Sequence, residues 1–304
     1  MPRISIVIPA YNAAHYIAAT LESVRASTFS DFEVIVIDDG SKDDTAARAS
    51  GIDARIKILS QVNAGMSASR NRGVSAGDSE FIALLDSDDV WHPEKLRHQL
   101  IQLEMRPDHD FCFTGFSVWH GEDPVEFMRQ SRQGELDLAM SGWVYHHLVL
   151  ENHALPSSVL LRRSAWNQLG PFRCDNYKTD DWEYLVRASF QHRFLRLGES
   201  YVLYRQVATS LSKNLSRVNG HEHMRESLIA RFGLQSPDGT SVDSAALEYC
   251  RWRGAAVFAD GHCAKGDLVL GLKEFARLLV NGPRRAATLE SLGKSLFRRA
   301  IPKS

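Results

Sequence analysis

The sequence predicts an α/β protein: a mostly parallel sheet flanked by helices, followed by an α-helical extension. Three observations lead there. Short, β-branched apolar runs alternate with segments of helical periodicity through residues 1–110. Each run ends in a polar or acidic tip. Beyond Ser216 the composition turns Ala-, Leu- and Arg-rich. Strands that are apolar on both faces need cover on both faces, and alternating helices supply it.

The elements follow in order. Ile4-Ser5-Ile6-Val7-Ile8 is a strand ending at Pro9. Ile17, Leu21 and Val24 recur at i, i+4 and i+7 and predict a helix, with Asn12 as its N-cap. Phe32 to Ile37 is a second strand, ending in Asp38-Asp39-Gly40-Ser41, where Ser41 and Asp44 form a capping box for the next helix. Arg55 to Leu59 is a third strand, Asn63 to Gly77 encloses a helix, and Glu80 to Leu85 is a fourth strand. Pro93 takes position N1 of a helix running to Glu104. A strand over Asp110–Trp119, a helix over Ser141–Glu151 and a short strand over Ser158–Leu161 come next. A helix over Thr179–Phe190 opens on Asp180-Asp181, and Tyr201–Tyr204 is a final strand. In the tail, Leu268, Leu272, Phe275 and Leu279 mark one amphipathic helix, stopped by Asn281-Gly282-Pro283; Leu289, Leu292 and Leu296 mark another.

Bulk properties narrow the class. The 304 residues suffice for one large domain plus an appendage. Hydrophobic residues make up 44% and charged residues 24%, ordinary values for a soluble globular chain. A net charge of -1 nominates no nucleic-acid partner. Cys112, Cys174, Cys250 and Cys263 are far apart with no C-x-x-C spacing, which argues against a disulfide framework or zinc site and fits a reducing compartment. No signal-peptide pattern opens the chain, and no apolar run approaches the ~18–20 residues that span a bilayer. A cytoplasmic location is expected. From Gly271 to Ser304 there are eight Lys/Arg against two Asp/Glu, a balance of +6.

The chemistry sits at the strand ends, where open parallel sheets bind ligands. Phe81 to Leu85 delivers Asp86-Ser87-Asp88-Asp89 onto a tip. Carboxylates at the end of a buried strand are costly unless a cation binds them. A divalent metal carrying a diphosphate, Mn²⁺ or Mg²⁺, suits such oxygen ligands. Pro9-Ala10-Tyr11 ends its strand rigidly and offers an aromatic face and backbone groups to a nucleobase, although Tyr11 also reads as a surface turn aromatic. Asp39 can accept hydrogen bonds from a uracil N–H or a ribose hydroxyl, and it can also cap the next helix. Arg70 is placed to contact base or phosphate. In Asp180-Asp181, repulsion between partly buried neighbours raises one pKa, as a general base requires; both also read as helix caps. Trp91 and Trp182 read equally as sugar-stacking rings or core. The twelve histidines form no metal constellation.

These segments, in this order, resemble family 2 glycosyltransferases of the GT-A fold, whose sheet is Rossmann-like. The resemblance rests on Ile4–Asn12, Glu33–Ser41, Asn63-Ala64-Gly65 leading to Ser69–Gly73, Leu85–Asp89, Thr179–Glu183 and Tyr204-Arg205, and covers residues 2–212. It implies a donor site of Pro9, Ala10, Tyr11, Asp39, Arg70, Asp86, Ser87 and Asp88, with Asp86 on the ribose and Asp88 on the metal. It implies a catalytic base at Asp181; Asp180 stays open as the alternative, because the family pattern there is Glu-Asp. Gln206 stands where a His often follows Tyr-Arg, which weakens one diphosphate contact. The implied reaction is inverting transfer from a nucleotide-diphosphate sugar to a hydroxyl of a glycan or lipid-linked saccharide, with UDP favoured by Asp39 and Arg70. The implied organisation is a catalytic domain over 1–212, with a nucleotide-binding half (1–110) and an acceptor half (111–212), then a helical region over 213–304.

Other readings compete. An oxidoreductase lacks its G-x-G-x-x-G, and an NTPase lacks its P-loop. A non-catalytic nucleotide-sugar-binding scaffold of the same fold remains the alternative. The basic C-terminal helices raise a further expectation, peripheral contact with the inner face of a membrane; the bland version packs them on the catalytic domain with their charges in water.

Overall fold

The computed structural model describes residues 1–174, 179–206 and 215–300. The expected boundary at 212/213 lies outside the described residues. Eight strands form one mixed sheet in the order β3-β2-β1-β4-β7-β6-β8-β5. They are β1 (Ile4–Ala10), β2 (Phe32–Asp38), β3 (Ile56–Ser60), β4 (Phe81–Leu84), β5 (Val90–Trp91), β6 (Phe111–Trp119), β7 (Leu160–Arg162) and β8 (Phe194–Arg205). β1 lies between β2 and β4 and runs parallel to both, with Ile4 opposite Phe32 and Phe81. β7 enters antiparallel between β4 and β6, β8 runs parallel to β6, and β5 closes the edge antiparallel to β8.

Twelve α-helices among the described residues accompany the sheet: α1 (Ile17–Arg25), α2 (Thr45–Ala49), α3 (Met66–Ser75), α4 (Lys95–Met105), α5 (Val125–Arg129), α6 (Tyr145–Leu148), α7 (Arg163–Leu169), α8 (Asp180–Ser189), α9 (Gly220–Phe232), α10 (Ser244–Lys265), α11 (Leu268–Asn281) and α12 (Arg285–Ala300). Two cores lie on the two faces of the sheet. Side chains alternate along a strand, so Ile4, Ile6 and Ile8 join one core while Val7 joins the other; Phe81 and Ala83 likewise part from Ile82 and Leu84. The expected near-continuous apolar strands are therefore strands buried on both sides.

Helix α3 lies close on β1 and β2. Gly73 makes this approach possible, because a methyl added there would sit on Val7 Cγ1. Gly65, at φ +88°, supplies the left-handed residue that starts α3.

Several local expectations are corrected. Asn12 does not cap α1. It holds a left-handed turn at φ +50°, and its Oδ1 accepts the Lys42 N–H (2.8 Å) while its own N–H donates to Ser41 Oγ (3.0 Å). Ser41 is therefore spent on the β1 turn, and no capping box with Asp44 forms; Asp43 accepts the Thr45 N–H instead (3.1 Å). α4 starts two residues after Pro93. Only Tyr145–Leu148 of the segment expected as a helix over Ser141–Glu151 is helical. β8 begins seven residues earlier than Tyr201, since alternation is broken around Gly198.

The C-terminal helices pack on the rest through α9, which contacts α8, and α10, which contacts α9, α11 and α12. On α11 the buried positions are Gly271, Phe275 and Leu278, so Leu272 lies on the exposed side of the expected stripe. On α12 the buried positions are Thr288 and Ser295, and Leu289 and Leu296 face outward. Thr288 and Ser295 are buried by specific bonds: Trp252 Nε1 donates to Thr288 Oγ1 (2.9 Å), and Ser295 Oγ donates to Asp260.

The α3 packing gives a direct test. Gly73→Ala is expected to destabilise the protein by about 1–3 kcal/mol through overpacking against Val7, read as a lower denaturant midpoint with an unchanged slope.

Candidate active site

The ends of β1, β2 and β4 converge on one side of the sheet. Pro9 and Ala10 are buried in β1, and Tyr11 stands just beyond it, 47% exposed. The Asp39 N–H donates to Ala10 O (2.8 Å), which joins the first two tips. The Asp39 carboxylate, almost fully buried, accepts from Gln61 Nε2 (2.6 Å) and from the N–H groups of Ala64 (2.8 Å) and Gly65 (2.9 Å). It thus caps the turn that starts α3, and not the helix that follows β2. A carboxylate has about four acceptor positions, so roughly one remains for a ligand.

Arg70 points inward from α3. Its guanidinium is 1% exposed and donates from Nη2 to Asp86 Oδ1 (2.6 Å). It also faces Asp181 and Asp180 electrostatically and lies 5.6 Å from the Phe172 ring centre. Its Nε has no partner among the described residues. Ser67, one turn earlier on α3, donates to Asp180 Oδ2 (2.9 Å). One helix therefore touches both the carboxylates after β4 and those opening α8.

The β4 tip is held from three sides. Thr20 Oγ1 of α1 reaches Ser87 O (3.0 Å) and Asp89 O (2.8 Å). Ser157 Oγ accepts the Asp86 N–H (3.0 Å) and donates to Asp89 Oδ2 (2.5 Å). Arg205 donates its N–H to Asp89 Oδ1 (3.0 Å) and its Nε to Asp88 O (2.8 Å). Asp89 is fully buried and fixes the loop; Asp86, Ser87 and Asp88 are half-buried on its open side. Burial, then the neighbouring Asp86 charge, raises the Asp88 carboxyl to about 6, against a smaller opposing pull from Arg205.

A divalent cation fits here. Asp88 is a partly desolvated carboxylate beside a second one, and its raised pKa is the sign of a charge that a cation would relieve. Mg²⁺ and Mn²⁺ are commonly held by one or two carboxylates together with substrate phosphates. Consistent with that mode, the described residues contain no cluster of three or more His, Cys, Asp or Glu side chains arranged for an all-protein metal cage.

Asp180 and Asp181 open α8, and Glu183 completes an acidic first turn. Asp181 Oδ1 accepts the Trp182 N–H (2.8 Å). Burial pushes the Asp181 carboxyl up, with Arg70 and the Trp182 N–H pulling the other way. His221 of α9 also faces Asp181 and stacks near Trp182, ring centres 5.5 Å apart. Both tryptophans are core. Trp91 Nε1 donates to Ser157 O (2.7 Å) and Trp182 Nε1 to Leu148 O (2.7 Å), and each is at most 3% exposed, so neither ring is available to a sugar.

The structure therefore brings Ala10, Asp39, Arg70, Asp86, Asp88, Asp180 and Asp181 into one connected region. Sequence reasoning missed Thr20, Gln61, Ser67, Ser157 and His221, single polar residues in no motif. A hollow of about 560 Å³, lined by Ala19, Glu22, Arg25, Val90, Pro124 and Met128, contains none of these site residues.

A sheet with acidic loops at its carboxyl ends and an acidic helix start facing them defines an α/β protein with a polar site where open parallel sheets bind ligands. The comparisons sharpen that class. The model of glycosyl transferase family 2 matches residues 5–160. A putative teichuronic acid biosynthesis glycosyltransferase, TuaG of Bacillus subtilis, is 36% identical over 223 residues, 70% of this chain and 82% of that protein. The chain belongs to glycosyl transferase family 2. A UDP-Glc:alpha-D-GlcNAc-diphosphoundecaprenol beta-1,3-glucosyltransferase of Escherichia coli, WfgD, is 36% identical over 117 residues, 38% of this chain and 46% of that one. The match to an uncharacterised Rickettsia felis glycosyltransferase, 36% identical over 134 residues, is 43% of this chain and only 22% of that protein. Staphylococcus aureus TarS (residues 1–349, with UDP-GlcNAc) superposes with a TM-score of 0.64 at 17% identity, over 98% of this chain and 89% of that one. The mannosyltransferase PcManGT of Pyrobaculum calidifontis, with GDP-Man and Mn²⁺, superposes at 0.61 and 17%, over 100% and 88%. The fold is that of the GT-A glycosyltransferases.

Asp88 supplies a test without substrate. A carboxyl with a folded pKa near 6 and an unfolded one near ~3.9 binds its proton more tightly when folded, so its ionised form destabilises the protein at neutral pH. Asp88→Asn is expected to stabilise the metal-free protein by about 1–2 kcal/mol at neutral pH, allowing for partial exposure. The gain should shrink as pH falls below about 6, and denaturant titrations across pH read it.

Proposed function

We propose that this protein is an inverting glycosyltransferase that moves a sugar from a nucleotide-diphosphate donor, UDP-linked in the first instance, to a hydroxyl of a glycan or lipid-linked saccharide. The observation that carries the reading is the meeting of two carboxylate sets across Arg70 and Ser67 of α3. Asp86, Ser87 and Asp88 serve the donor; Asp181 serves the acceptor.

The residues divide the work as follows. Tyr11 offers a face to the base beside the buried Pro9-Ala10 strand end, and Asp39 uses its remaining acceptor position on base or ribose. Asp86 holds the ribose, and Asp88 would hold a divalent cation, Mn²⁺ or Mg²⁺, which would supply neutralisation of charge on the departing diphosphate. Asp181, its carboxyl raised by burial, takes the proton from the acceptor hydroxyl. That oxygen forms its bond to the anomeric carbon as the bond to the diphosphate oxygen breaks, and the nucleoside diphosphate leaves with the electron pair. A single displacement inverts the anomeric centre. Arg70, already paired with Asp86, keeps the two acidic sets from repelling each other apart. The names of relatives acting on UDP-sugars and on a diphosphoundecaprenol-linked sugar support the donor and acceptor classes, and the Mn²⁺ in a related structure supports the metal.

Two experiments test it. In a thermal-shift panel of UDP-, dTDP- and GDP-sugars with Mn²⁺, one donor is expected to raise the melting temperature, and chelator should abolish the shift. A flat panel would overturn this reading and the nucleotide-sugar-binding scaffold alike, whereas a shift without turnover would favour the scaffold. Asp181→Asn should keep that shift and lower turnover by ~10²-fold or more. Normal turnover in Asp181→Asn with loss in Asp180→Asn would assign the base to Asp180.

A further inference from the structure

The last two helices turn apolar side chains to the outside. On α11, Val269, Leu272, Ala276 and Val280 recur at i, i+3, i+7 and i+11, and all are exposed. On α12, Leu289, Gly293, Leu296 and Phe297 do the same at i, i+4, i+7 and i+8. Val269, Val280, Leu289 and Phe297 are 57–67% exposed. A stripe of that spacing is one continuous helix face.

The two stripes adjoin. Leu268 of α11 and Leu292 of α12 both pack against the Ala259–Cys263–Phe275 cluster between the helices. Leu272 lies one turn from Leu268, and Leu289 and Leu296 lie one turn either side of Leu292. The exposed leucines therefore extend this cluster onto the surface as one apolar strip.

Charge says what covers it. Residues 271–304 carry +6, while residues 1–270 carry 28 Lys/Arg against 35 Asp/Glu, a balance of -7. Among the described residues Lys273, Arg284 and Arg285 form no ion pair; Arg284 rests on the Tyr249 and Trp252 rings, and Arg285 donates to Val280 O. A two-fold contact through these helices would oppose two segments of the same basic character, so a second copy is a poor partner. No helix among the described residues is long and apolar enough to cross a membrane. We propose that the outer face of α11 and α12 is a docking surface for an anionic lipid bilayer, on which the protein lies without spanning it. Its leucines, valines and Phe297 enter the headgroup boundary, and its lysines and arginines meet anionic headgroups. This inference stands whether or not the donor assignment holds.

The test is vesicle flotation of the whole chain. Binding is expected to vesicles of phosphatidylcholine mixed with phosphatidylglycerol, and not to phosphatidylcholine alone. It should fall steeply at about 0.5 M salt, where screening is short-ranged. The triple variant Leu289→Ser, Leu296→Ser, Phe297→Ser and the double variant Lys273→Glu, Arg285→Glu should each lose at least about tenfold in bound fraction, equivalent to ~1.4 kcal/mol. Unchanged melting and an unchanged nucleotide-sugar shift would establish that both variants are folded. Protein that stays soluble at low salt with anionic vesicles overturns the proposal. So does a concentration-dependent dimer that the triple variant abolishes, since a second copy would then cover the strip.

Discussion

The constraint on which this structure depends is the crowding of carboxylates at the carboxyl ends of its central strands. Asp39, Asp86, Asp88, Asp89 and Asp181 share one region, and among the described residues Arg70 and Arg205 bring positive charge to it. Burying like charges is expensive unless each is paired or hydrogen-bonded. The solution is unequal. Asp39 takes three donors and Asp89 takes two, so both become structural. Burial and the Asp86 charge outweigh what its own backbone N–H and Arg205 give back at Asp88, whose carboxyl stays raised. The stability forgone at Asp88 is what a bound cation would restore, an exchange of the kind made at functional sites.

Much of this was legible in the sequence. The apolar runs of β1, β2 and β4 are fully buried, so their pattern had no competing explanation, and the tips that follow them had nowhere to go but the sheet's edge. The remainder failed for physical reasons. Asn12 and Ser41 looked like caps because short polar residues cap helices, yet the tight turn after β1 had first claim on both. Trp91 and Trp182 carried no sign of burial because an indole beside acidic residues fits a sugar site and a core equally. Ser157 and Thr20 sit in no motif, and their role exists only once β4, α1 and the segment before β7 meet. The leucine spacing of α12 was read correctly as amphipathic, but spacing does not say which side meets α10; Thr288 and Ser295 won that side by hydrogen bonding to Trp252 and Asp260.

The molecule also divides its charge. An acidic body carries the site, and a basic pair of helices sits at its end, joined through α9 and α10. A chain whose total is -1 conceals this, because the sum cancels two regions of opposite sign. Local balance, not net charge, is the quantity that reports on surfaces.

The three-way grip on the β4 tip has a consequence for the order in which the protein matures. Every carboxylate of the Asp86–Asp89 run is synthesised early, together with the strands that carry it. Its shape, however, is set by Ser157 and by Arg205 at the end of β8. A nascent chain halted on the ribosome before Arg205 emerged would hold its acidic loop through Thr20 and Ser157 but would lack the third fastening. The grip on the β4 tip is completed from the C-terminal side, so a newly made molecule acquires its parallel strands first and the final shape of its acidic loop last.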